Sequence, residues 1–100
     1  MGAKTITNQM GYQQITSLSS AQSLTVPAKD PNTGVNQKPA FALITPETQA
    51  VRYRDDGTPP TATVGMPVAV GTTLRYDGDL SKIQFIEQTA SAKLNIVYYA

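Results

Sequence analysis

The chain has 100 residues, seven Gly, seven Pro, no Cys and no His, and a formal net charge of +1 from 8 basic and 7 acidic residues. A chain of that length makes one domain with a small core, burying on folding roughly two-thirds of the surface of the unfolded chain. Lacking Cys and His, it excludes disulfides, thiolate nucleophiles, Ser–His and Cys–His dyads and structural zinc sites, and its charge balance lacks the basic excess on which nucleic-acid and anionic-membrane binding rest. Charged residues are 15% against a typical ~25%, so the polarity comes mainly from Thr, Gln and Ser. This composition favours a binding or structural role over catalysis, with no cofactor and no metal.

Residues 1–10 are polar, with Ile6 and Met10 as apolar exceptions, and read as an arm preceding a domain over 11–100. The start has no apolar h-region, so no signal peptide is expected. Between Tyr12 and Val26 the apolar anchors are sparse and Pro27 follows, which suits two short edge strands better than a helix. Residues 27–39 hold three Pro and one Gly and predict a long loop. In the next run Phe41, Leu43 and Thr45 alternate with Ala42 and Ile44, and the larger side chains are expected inside. Val51 and Tyr53 alternate with Arg52 and Arg54, and Asp55-Asp56-Gly57 turns the chain.

Pro67 places the Val64–Val70 run at an edge or bend. Leu74 and Tyr76 alternate with Thr73 and Arg75, and Asp77-Gly78-Asp79 predicts a tight hairpin into the run carrying Ile83 and Phe85. Leu94, Ile96 and Tyr98 alternate with Lys93, Asn95 and Val97 in the last strand, so Tyr98 is expected inside and Tyr99 at the rim. Single helical turns fit only around 46–49 or 80–82. Short strands at this spacing predict an all-β fold, a small β-sandwich or jelly-roll-like domain. The expected core is Phe41, Leu43, Val51, Tyr53, Leu74, Tyr76, Ile83, Phe85, Leu94 and Ile96.

The densest polar cluster is Arg52 to Thr61. Consecutive Asp side chains on an extended strand point to opposite faces, which is poor geometry for a catalytic dyad. The spacing also fails the EF-hand loop. Asp55, Asp56, Asp77 and Asp79 are therefore read as turn formers rather than ligands or acids. Candidate interface residues are Ile6 and Met10 in the arm, Lys29, Asn32 and Val35 in the loop, Arg52 and Arg54 on a wet strand face, and Tyr99.

The segment AVRYRDDGTPPTATVGMPV, followed by YDGDLSKIQFIEQTASAKLNIVYY, resembles a small virion protein recurrent in tailed bacteriophages. SLTVPA and AFALITPETQ fit the same pattern upstream, so the resemblance covers roughly residues 18–99, most specifically from Arg52 to Met66. It implies an all-β head decoration or cement protein, a homo-oligomer (dimer or trimer) bound to the major capsid protein. It also implies a place on the capsid surface after synthesis in the host cytoplasm, with no nucleic-acid or membrane partner. A fibre or tail module recognising a host glycan is the alternative.

Overall fold

The computed structural model describes residues 9–31 and 33–100. Eight strands follow in chain order: β1 Gln9–Ile15, β2 Gln22–Ser23, β3 Phe41–Glu47, β4 Val51–Arg54, β5 Met66–Val68, β6 Leu74–Tyr76, β7 Gln84–Glu87 and β8 Lys93–Tyr99. They form two antiparallel four-stranded sheets, the first ordered β1-β8-β3-β6 and the second β2-β7-β4-β5. Successive strands repeatedly cross between the layers, the order of an eight-stranded jelly roll. The expected all-β sandwich is the observed one, and no helix, not even a single turn, occurs among the described residues.

The core lies between the inner faces. Ile44 is paired with Ile96 and Ala42 with Tyr98 across β3 and β8, and all four are buried against Phe85, Ile83, Val51 and Leu18. Leu74, Tyr53 and Tyr76 pack on this cluster half-buried. Tyr53 contacts the Phe85 ring at 5.8 Å and the Tyr76 ring at 6.5 Å. Tyr98 is 1% exposed and its hydroxyl donates to Gln13 Oε1 at 2.7 Å.

Three sequence expectations are corrected. First, Phe41 and Leu43 are not core residues. The inward side of β3 is Ala42, Ile44 and Pro46, and Phe41, Leu43 and Thr45 face out. Both sides of the run are apolar, so alternation alone left its orientation open, and the register with β8 decides it. Second, Met10 belongs to the core, 3% exposed. A bulge between Gln9 and Gly11 re-aims it inward, so the strand begins within the segment expected to be an arm.

Third, Asp77-Gly78-Asp79 makes no hairpin. β6 pairs with β3 and β7 with β4 and β2, so the turn carries the chain from one sheet to the other. Buried Leu80 and Ile83 anchor that crossing. The long loop expected over 27–39 is observed among its described residues, and it folds back on itself. Lys29 bridges Asn36, and the amides of Gln37 and Asp30 donate to the carbonyls of Ala28 and Val35 at 3.0 and 2.9 Å. Gly34 supplies the positive φ of 72° at its tip.

Candidate interaction surfaces

The Arg52–Met66 run, the most distinctive in the sequence, is a loop held from below by its own strand. Arg52 donates from Nε to the Ala62 carbonyl at 3.1 Å and from a terminal nitrogen to the Gly65 carbonyl at 2.8 Å. Gly65 has φ +142°, and a Cβ there would lie 3.1 Å from both Arg52 Cβ and the Tyr53 carbonyl oxygen. Glycine is thus required by close approach as well as by conformation. At the tip, Thr61 and Val64 exchange backbone hydrogen bonds, and Thr61 Oγ1 accepts from the Val64 amide at 3.0 Å.

The acidic residues of the run are engaged locally. Asp55 accepts from the Tyr76 hydroxyl at 2.7 Å. Asp56 forms a two-pronged pair with Arg54 and accepts from the Thr58 amide. The Arg54 side chain and the Thr58 amide hold the Asp56 carboxyl below its ordinary range. Asp79 is lowered likewise by hydrogen bonds from the Ser81 hydroxyl and amide. Among the described residues no group of three or more His, Cys, Asp or Glu is placed to hold a metal ion. Asp56 and Asp79 shape turns, as the Asp-Gly pattern predicted, whereas Asp55 ties its loop to Tyr76 of β6.

The expected contact residues scatter. Ile6 and Asn32 lie outside the described residues. Met10 is buried, and so is not available as a contact. Lys29 and Val35 are exposed on the 27–39 loop, Val35 at 60%. Arg52 and Arg54 lie on the outer face of the second sheet, but both guanidinium groups are spent on the loop. Tyr99 faces out from the first sheet, stacked on Phe41 with ring centroids 5.2 Å apart.

That outer face of the first sheet is the surface sequence reasoning missed. Tyr99 beside Phe41 and Val97 beside Leu43 form a half-buried apolar tract across the two central strands. Arg75 of β6 lies 4.2 Å from the Phe41 ring centre, a cation–π contact. Toward the other end the face turns polar. Asn95 accepts from Tyr12 and Gln14 and donates to Glu47, and Thr45 bonds Thr73. These partners are up to 83 residues apart, so no local motif announces them. The outward alternation of β8, with apolar Val97 and Tyr99, was the one available signal. No family model, curated protein or solved structure matches this chain.

Proposed function

We propose that this chain is a structural virion protein, a head decoration or cement protein of a tailed bacteriophage that braces the capsid lattice by binding the major capsid protein non-covalently. The observation that carries the reading is how the Arg52–Met66 run is used. Its two Arg and two Asp residues lock a loop onto a rigid jelly roll through intramolecular bonds; Arg54, Asp55 and Asp56 line an open depression beside Tyr53 and Met66, but each is already partnered within the chain rather than presented to a reacting group. What such a body offers is surface: a partly apolar sheet face, a loop that folds back on itself over its described residues 27–31 and 33–39, and weakly charged Thr- and Gln-rich sides. Uncharged polar groups hydrogen-bond across an interface without the cost of desolvating charge. Individually weak contacts, repeated over a lattice by a self-associating protein, gain strength through effective concentration.

The glycan-recognition alternative has less support from the geometry. A sugar platform needs an open aromatic face, and Phe41 is flanked by Tyr99 on the β8 side and by Arg75 on the β6 side. Cryo-electron microscopy of the particle tests the proposal. It predicts density for this fold repeated over the whole head lattice. Density confined to the tail or fibres overturns it.

A further inference from the structure

The outer faces of the two sheets differ in kind. On the second sheet the long side chains Arg52 and Arg54 are tied down within the chain. On the first sheet the central strands β8 and β3 carry a half-buried apolar tract on their outer face, flanked by an exposed Tyr12 at 59% exposure. The outer face of an isolated sandwich is ordinarily polar, and a contiguous apolar tract there marks a contact surface.

The register of β8 against β3 identifies the partner. The outward residues pair across the two strands as Tyr99 with Phe41, Val97 with Leu43, Asn95 with Thr45 and Lys93 with Glu47. Consider a second copy laid face to face, related by a two-fold axis parallel to the strands and midway between β8 and β3. That operation places β3 of one copy over β8 of the other at the same height. Each outward residue then meets the counterpart of its own cross-strand neighbour. Leu43 covers Val97, Phe41 covers Tyr99, and Glu47 meets Lys93 twice, once on each side of the axis. At the flanks the same rotation brings β1 over β6, and Tyr12 over Arg75. A two-fold axis running across the strands fails, because it sets the Phe41 end of one face over the Glu47 end of the other.

We infer that the outer face of the β1-β8-β3-β6 sheet is a homodimer interface, in which two copies pack sheet on sheet about a two-fold axis parallel to the strands. The inference deepens the self-association included in the proposed function but concerns the free protein, so it stands or falls without the capsid. Lys93 and Glu47 are cross-strand neighbours that form no ion pair within the chain, among the described residues, and Glu47 accepts from Asn95; the dimer adds a second opposite charge facing each. Aligned packing of twisted sheets holds the strand directions within ~30° of each other at a separation of ~10 Å, which suits these interlocking apolar rows.

The size of the face sets the strength. Three strands of seven residues and one of three, at ~4.8 Å between strands and ~3.3 Å per residue, give a flat footprint of roughly 380 Å² per copy. A standard interface has ~800 Å² per partner, so this dimer is weak and reversible, populated at high concentration or where copies are held close together.

The test is sedimentation velocity of the full chain from micromolar to millimolar concentration, alongside Glu47→Lys and Lys93→Glu. The parent is expected to shift reversibly from monomer to dimer. Each variant alone sets like charges against each other twice per dimer and is expected to remain monomeric over the same range. Mixed, the two variants restore both opposite-charge contacts, so dimer is expected to return. Recovery on mixing requires both variants to be folded, which separates loss of the contact from loss of the fold. A parent that stays monomeric at millimolar concentration overturns the inference and leaves the face to a different protein. So does a mixture that fails to dimerise, or a pair of variants that dimerise like the parent.

Discussion

Leu43 and Ile44 are neighbours on β3, carry side chains of equal volume, and lie on opposite sides of the first sheet. Ile44 is 0% exposed and is paired with Ile96 at the centre of the core. Leu43 is half-buried on the outer face beside Val97. Truncating Ile44 to Ala removes three carbons from a fully packed site and leaves a cavity, and such changes cost 2–5 kcal/mol; about 3 kcal/mol is expected here. Truncating Leu43 leaves no enclosed void and forfeits only part of a transfer term, about 1 kcal/mol. At ~4–8 °C per kcal/mol for a domain of this size, Ile44→Ala lowers Tm by roughly 12–24 °C and Leu43→Ala by roughly 4–8 °C. Urea and thermal melts followed by far-ultraviolet circular dichroism, at micromolar concentration where the chain is monomeric, measure both. Equal losses, or a larger loss for Leu43→Ala, refute the orientation of β3 and with it the surface built on its outer side.

Three further outcomes follow from particular residues. The Tyr98 phenol is pushed up to about 12 by burial, so the folded chain retains a proton that the unfolded chain releases near pH 10. Its contribution is therefore complete below pH ~10 and falls away toward pH ~12, by roughly 2–3 kcal/mol. Urea melts at rising alkaline pH should show that decline, and Tyr98→Phe should lessen it, leaving the part due to Tyr76, whose phenol burial and the Asp55 hydrogen bond also push up; parallel profiles contradict the assignment. Gly65→Ala, forced into a positive φ against Arg52 and the Tyr53 carbonyl, should cost about 1–3 kcal/mol by chemical denaturation, and an unchanged midpoint contradicts the close packing of that loop. Ser91 adopts φ 76° and only its carbonyl bonds Thr48, so Ser91→Gly should be neutral to stabilising by roughly 0.5 kcal/mol in the same assay, and a clear loss refutes the reading.

The strands were legible in the sequence wherever one side of the alternation was clearly apolar and the other clearly polar. Val51 and Tyr53 against Arg52 and Arg54 is such a case, and so is Leu94, Ile96 and Tyr98 against Lys93 and Asn95. Pro67 correctly marked β5, an edge strand of the second sheet. Legibility failed where both sides of a strand are apolar. Phe41 and Leu43 outweigh Ala42 and Ile44 in size, yet size does not choose a face when the outer face is itself apolar. It failed again at Gly78, because a local turn signal is the same whether the next strand joins the same sheet or the opposite one. The turn roles of Asp56 and Asp79 were readable because a carboxylate beside glycine bonds nearby backbone and side chains; the bond of Asp55 to Tyr76 was not. The Tyr12–Asn95–Glu47 network was not, since it depends on pairing between strands remote in sequence.

The proposed role of this chain is to bind and brace a phage head. Its most direct test is rebinding of the purified full-length protein to mature heads stripped of it, with bound protein measured against free protein and head stability measured before and after. Saturable binding is expected at a fixed number of copies per lattice repeat, with heads that withstand heating better once refilled. Protein that ignores the heads yet binds host surface polysaccharide contradicts it.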